Sequence, residues 1–248
     1  MGMPRKIRCT VEAIIDHGGR VYTVDLVPAA PVPAFRPGQF LHLTVDDYDP
    51  SSFWPESRVF SIASSPRDRR HILICYSVKG RYTAKIEQVI KVGSEVWIKL
   101  PYGEFFIDDA TDAVLVAGGT GISAFTAFIQ ALAPETPGNV CLVYGVREPG
   151  LLLFRELIIE QSRKVLDFRP LFFTETGTDS LRRETASLTP SPPCHPGRIS
   201  LDVIWSEVED AEKRVFYLSG PPIMLNMLGN QLKERGLAAN QIRTDAWE

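Results

Sequence analysis

The sequence predicts two domains: an antiparallel β-barrel over residues 1–107, then an α/β domain built on a doubly wound parallel sheet over residues 108–248. Three observations lead there. From Ile7 to about Phe106, short β-branched or aromatic runs alternate with turn residues, the rhythm of a small antiparallel barrel or sandwich. After Asp108-Asp109 the pattern becomes strand, glycine turn and helix, which implies a parallel sheet wrapped by helices. A length of 248 residues gives each part enough chain for a core of its own.

In the first part, strands are expected at VYTVDLV, QFLHLTV, VFSIAS, HILICYSV and EVWIKL. Turn signals separate them at His17-Gly18-Gly19, Pro37-Gly38, Pro66-Arg67-Asp68 and Val92-Gly93-Ser94. One helix interrupts this series: TAKIEQVI places Ala84, Ile86, Val89 and Ile90 near one face, with Thr83 as its N-cap. In the second part AVLVA leads through Gly118-Gly119-Thr120-Gly121 into the helix ISAFTAFIQAL. NVCLVYG, DFRPLFFTE and RVFYLSG are further strands, LFRELIIEQS a helix, and PIMLNMLGNQLKERG a last helix stopping at Gly236. The stretch TGTDSLRRETASLTPSPPCHPGR, within residues 175–198, lacks periodicity; it reads as a long surface excursion, either plain or a mobile cover over a ligand.

Composition narrows the classes of function. Hydrophobic residues make up 44% and charged ones 23%, and a net charge of -3 offers no global basic field for nucleic acid. Cys9, Cys75, Cys141 and Cys194 stand 66, 66 and 53 positions apart, which argues against a sequence-local zinc or iron–sulfur site. No metal ligands are assigned, and His17, His42, His71 and His195 are read as surface or satisfied structural residues. The start, MGMPRKIRCT, has no apolar signal core, and Lys6 stands where myristoylation wants Ser or Thr. LLLFRELII is broken by Arg155 and Glu156, so no membrane span is expected; a reduced, cytoplasmic protein is.

Two short segments carry chemistry. Gly119-Thr120-Gly121-Ile122-Ser123-Ala124 fits G-x-G-x-x-A between a strand and an apolar helix. It is open to two readings, a structural turn or a site where backbone amides and the helix N-terminus approach a pyrophosphate. RVFSIASSP, Arg58 to Pro66, is either an ordinary edge strand or a strand whose cation and hydroxyls bind a phosphate and a heterocycle.

Arg58-Val59-Phe60-Ser61 resembles the flavin-binding R-x-[YF]-S signature of the ferredoxin–NADP reductase superfamily, and VKGRYT resembles its second flavin element. FRPGQF, LPYGEFF, GGTGIS and YLSGPPIML follow in the family's order across nearly the whole chain. The resemblance implies an FAD-binding barrel followed by an NAD(P)-binding domain. Arg58 would meet flavin phosphate, Phe60 would pack on the flavin, and Ser61 would hydrogen-bond near N5. Gly80 and Thr83 would contact pyrophosphate, and Ile62, Ala63, Ser64 and Val78 fall among the cofactor-binding positions. Gly119, Thr120 and Gly121 would hold the nicotinamide cofactor, and Gly220 and Pro221 would shape its approach to flavin. Ser61, Ser219 and Trp247 are the candidate catalytic residues.

Three positions depart from the family pattern: Phe60 for the frequent Tyr, Ser219 for the frequent Cys, and the ending TDAWE, where Trp247 either stacks on flavin or packs for stability. Glu175 and Glu148 would favour NADH by accepting a ribose hydroxyl, whereas Arg147, Arg182 and Arg183 would attract a 2′-phosphate; NADH is the weak preference. The implied activity is hydride transfer from NAD(P)H to FAD, with electrons passed to a separate redox protein such as ferredoxin, flavodoxin or an oxygenase component. The alternatives are a flavin reductase using free flavin and a nucleotide-binding subunit with little activity alone. Arg67, Arg69, Arg70, Lys79 and Arg81 form either a solvated turn or part of a docking surface for an acidic partner.

Overall fold

The computed structural model describes residues 3–107 and 111–245. One compact unit holds the chain through Phe106 together with Thr126–Phe128, and a second holds Ile107–Phe125 and the chain from Ile129 on.

The first unit contains β1 (Arg5–Asp16), β2 (Val21–Pro28), β3 (Phe40–Thr44), β4 (Arg58–Ser61), β5 (Ile72–Ser77), α1 (Arg81–Val89) and β6 (Glu95–Tyr102). Its strands lie in the order β4-β3-β6-β1-β2-β5, with every neighbouring pair antiparallel. The two ends of the sheet meet where the Ala63 amide donates to the Leu73 carbonyl (2.9 Å), so the sheet is a nearly closed barrel. Alternation fixes which face is inside: on β1, Ile7, Cys9 and Val11 are buried while Lys6, Arg8 and Thr10 are exposed. They join Leu26, Leu41, Ile74 and Ile98 in one core, and α1 adds Tyr82 and Ile86 to it.

In the second unit, β7 (Ala113–Gly118), α2 (Ser123–Ala131), β8 (Val140–Val146), α3 (Arg155–Lys164) and β9 (Phe168–Thr174) alternate as the sequence predicts. They are followed by α4 (Thr178–Thr185), β10 (Cys194–Pro196), α5 (Leu201–Glu207), β11 (Val215–Ser219), α6 (Pro222–Glu234) and β12 (Ile242–Thr244). The six strands are parallel in the order β10-β9-β8-β7-β11-β12. Every residue of β7 is buried, which explains its unbroken apolar run. The strand order reverses between β7 and β11, the topological switch point where open sheets of this kind bind ligands.

Two sequence expectations need correction. The aperiodic stretch before residue 198 is not a plain excursion, because it contains α4 and the edge strand β10, which pairs with β9 through three residues. The helix escaped notice because two of its three buried residues are threonines: Thr178 and Thr185 flank Leu181, and their hydroxyls donate to the carbonyls of Thr174 (3.1 Å) and Leu181 (2.9 Å). Thr83 is not the N-cap of α1; Gly80 is, and Thr83 lies inside the first turn, where its Oγ1 accepts the Gly80 amide (3.1 Å). The sequence pattern does not predict the short helix α5, which buries only Leu201 and Ile204.

None of the described helices is long and apolar enough to cross a membrane. All four cysteines are free and buried, and burial pushes the thiols of Cys9, Cys75 and Cys141 up to about 12. Such thiols stay protonated and unreactive near neutral pH.

His71 is satisfied by carboxylates. Its Nδ1 lies 3.1 Å from Asp25 Oδ2 and 3.2 Å from Glu12 Oε2, so the imidazole bridges the two carboxylates. The hydrogen bond to Asp25, helped by the nearby acidic charges, raises its pKa above the ordinary 6.5. Because the folded pKa is the higher one, the stabilisation is full below the unfolded pKa and fades as pH rises through the folded one. Replacing His71 with Gln should therefore lower stability at pH 5.5 more than at pH 8.5. Urea unfolding at both values tests this, and an equal loss at the two would remove the ion pair from the account.

Candidate functional site

In the barrel unit the two flavin-like motifs come together. β4 presents Arg58 outward, and its guanidinium lies over the ring of Tyr82, 4.6 Å from the centroid, at the N-terminal turn of α1. Tyr82 is itself buried, and its hydroxyl donates to the Glu56 carbonyl (2.7 Å) while accepting the Val45 amide (3.2 Å). One side chain thus ties the helix to the loop that leads into β4. The α1 N-terminus offers first-turn amides, and a Cβ on Gly80 would meet nothing within 4 Å, so the approach to those amides is open. Open amides beside exposed Arg58 and Arg81 fit a phosphate of FAD.

The rest of the motif is more enclosed. Phe60 is buried and packs toward Tyr76, with centroids 6.1 Å apart, so its ring belongs largely to the barrel core. Ser61 is half-buried at the end of β4, opposite Phe40. Ile62, Ala63 and Ser64 are buried, and each takes part in the barrel: the Ile62 amide donates to Gln39 O (2.9 Å), and Ser64 Oγ accepts the Leu73 amide (3.2 Å). Val78 is half-buried against the core, its amide bonded to Arg20 O (3.0 Å). Among the basic residues near the turn, Arg69 is tied to the Val32 carbonyl.

In the second unit the glycine turn after β7 meets the turn after β11. Residues Gly119–Ile122 form a single 3-10 turn, and α2 starts at Ser123, whose Oγ donates to the Thr120 carbonyl (2.9 Å). Gly119 has φ +55, a left-handed value, and a Cβ there would face open space. Gly121 is different: a Cβ would come 2.3 Å from the Ser219 carbonyl oxygen and 2.7 Å from the Gly220 nitrogen. The close approach that the sequence reading gave to a phosphate is at Gly121 an approach of the protein's own backbone, and it leaves Gly119 and Thr120 as the open side of the turn. Gly220 lies against Gly118, and Pro221 precedes α6. A glycine cradle with an open side, at a helix start and a switch point, fits a dinucleotide pyrophosphate.

Ser219 is buried, and its Oγ donates to Asp245 Oδ2 (2.9 Å), while the Asp245 amide donates to Leu218 O (2.8 Å). Asp245 was missed in the sequence, as were Tyr82 and Glu56, because their partners lie far along the chain; the one local signal was an acid within the quoted ending TDAWE. Trp247 falls outside the described residues. Glu175 stands just past β9, its carboxylate 3.3 Å from Arg198 Nε, and Arg182 is engaged by Asp179 (3.2 Å) and the Cys194 carbonyl (2.9 Å).

A nearly closed antiparallel barrel followed by a parallel sheet with glycine turns at its switch point defines the ferredoxin–NADP reductase class of fold. Residues 115–229 match the oxidoreductase NAD-binding domain family. The chain is similar to the reductase component of propane 2-monooxygenase from Mycolicibacterium smegmatis, 27% identical over 91% of this chain and 63% of the relative. It is 28% identical to oxidoreductase NAD-binding domain-containing protein 1 of Danio rerio, over 94% and 89% of the two chains. Among solved structures, the Amycolatopsis cytochrome P450 reductase GcoB superposes with a TM-score of 0.80 at 23% identity, covering 98% of this chain and 70% of the other. The match takes in 39% to 64% of the length of the first three curated relatives, less than two thirds of each. The chain has the ferredoxin reductase-like two-domain fold.

Gly121→Ala should cost about 1–3 kcal/mol of stability, the range for overpacking, and weaken nicotinamide nucleotide binding. Gly119→Ala meets no neighbour and should cost about 1 kcal/mol, from its left-handed backbone alone. Denaturant titration of both variants tests this, and equal losses would contradict the backbone contact as the reason for Gly121.

Proposed function

We propose that this chain is an NAD(P)H-dependent, FAD-containing reductase that delivers electrons to a separate redox protein such as a ferredoxin, a flavodoxin or an oxygenase component. The observation that carries this reading is the pairing, in one chain, of the Arg58–Tyr82–α1 cluster in the barrel with the glycine cradle at the switch point of the parallel sheet. The names of its relatives, reductase components of oxygenase systems among them, support the same reading. Bound FAD would supply the acceptance of hydride from the nicotinamide and the onward release of electrons.

The chain's own residues bind and align. Arg58 and the α1 amides hold phosphate; Thr83 keeps the first turn of α1 in shape by accepting the amides of Lys79 (3.0 Å) and Gly80 (3.1 Å). Ser61 is assigned the hydrogen bond near flavin N5, and Trp247 the ring stacking. Gly119 and Thr120 cradle the nicotinamide cofactor's pyrophosphate, Gly121 holds that turn against the Ser219 peptide, and Gly220 and Pro221 shape the neighbouring wall. Ser219, held by Asp245, tunes transfer without acid–base work.

For the donor we propose NADH. Glu175 places a carboxylate at the carboxyl end of β9, and Arg182, one of the cations that would favour a 2′-phosphate, is engaged within α4 and β10. The buried free thiols accord with the cytoplasm as its compartment. A second reading, a flavin reductase that takes flavin as substrate, is favoured by Phe60, which has no phenolic hydroxyl and turns into the core.

Anaerobic addition of each donor to the flavin-loaded protein, followed at the flavin absorption band, should bleach at least about tenfold faster with NADH. Faster bleaching with NADPH would reverse the donor assignment, and bound flavin that neither donor bleaches would leave a nucleotide-binding subunit. Arg58→Ala should weaken FAD binding about tenfold or more, as expected for a lost charge-assisted hydrogen bond, with an unchanged circular dichroism spectrum.

A further inference from the structure

We propose that Glu56 is a built-in competitor for the flavin phosphate, an internal anion that sets how tightly this chain retains FAD. The inference rests on the reading of Arg58 as a phosphate ligand and adds an opposing partner to it. Each carboxylate oxygen of Glu56 faces a different guanidinium: Oε1 lies 3.0 Å from Arg58 Nη2, and Oε2 lies 3.5 Å from Arg81 Nη2. Both are exposed cations beside the start of α1, so an arriving phosphate has to take from Glu56 donors that it needs itself.

The surroundings separate the anchor from the moving part. The Glu56 carbonyl is held by the Tyr82 hydroxyl (2.7 Å), and Arg58 is steadied both by the Tyr82 ring and by donating from Nη1 to the Ser57 carbonyl (2.8 Å). The Glu56 side chain is 42% exposed and can swing away without disturbing either contact. A carboxylate so exposed contributes little to folding, yet it satisfies the Arg58 fork and repels an incoming anion. Its removal should therefore alter ligand affinity much more than stability.

The test is FAD binding by the full chain, measured from flavin fluorescence at equilibrium and from the rate of flavin release. Glu56→Gln keeps the shape and loses the charge; it should tighten FAD binding about fivefold, the scale of an exposed ion pair. Glu56→Ser should show the same gain, and both should melt with the wild type. Unchanged or weaker binding in both variants would overturn the proposal. Arg58→Ala separates the two layers of argument: if it loses FAD while the Glu56 variants gain nothing, competition alone fails. If FAD binding is indifferent to Arg58 as well, the phosphate reading fails, and the competition falls with it.

Discussion

The missing side chain at Gly121 is the constraint on which the nucleotide half depends. Any Cβ would stand 2.3 Å from the Ser219 carbonyl, inside the contact distance of a carbon and an oxygen, so only glycine lets the turn after β7 lie on the peptide after β11. That contact joins the carboxyl ends of two strands whose connections leave in opposite directions across the sheet. It also lets α2 begin immediately, with Ile122, Ala124 and Phe125 buried, so the helix N-terminus points out of the sheet's carboxyl edge. The barrel solves the comparable problem by filling space. Buried Tyr82 brings α1 against the loop before β4 and leaves Arg58 lying over its ring.

Burial decides which of these interactions hold the fold and which only shape binding. The Tyr82 hydroxyl and the Ser219–Asp245 pair are removed from water, where breaking a hydrogen bond costs more than it does at the surface. Arg58, Glu56 and Arg81 are between 42% and 89% exposed, and there solvent screens most of the attraction. Side chains that add little to folding are free to be exchanged for a ligand, so in the proposed reading the exposed ions are the ones that meet an anion and the enclosed groups sit behind them.

What the sequence made legible follows the same division. β7 and β8 were plain because strands covered on both faces read as unbroken apolar runs, and the glycine turn was plain because its three glycines fall within four positions. α4 was not, since threonines whose hydroxyls bond to backbone carbonyls three to four residues earlier stand where apolar residues would mark its period. β10 is three residues long and borrows its register from β9, a relation no local pattern contains. Gly119 and Gly121 announced themselves through spacing, and Arg58 through the resemblance of its segment to a family signature. Tyr82 did not, although it lies inside a quoted motif, because its hydroxyl acts on Glu56 and Thr44, 26 and 38 positions away.

Ser219 shows how a departure from a family pattern acquires a physical meaning only in the fold. Taken alone, a hydroxyl in place of a thiol is a smaller, less polarisable group that both donates and accepts. In the structure its proton is directed at the Asp245 carboxyl group, which is buried with it, so the remaining surface of Oγ offers lone pairs. Ser219 is thereby fixed as an acceptor beside the Gly121 turn. A thiol, the weaker donor, would bind that carboxylate less firmly and leave it less well satisfied. The serine and the aspartate form one unit, with the hydroxyl at position 219 matched to the acid at position 245.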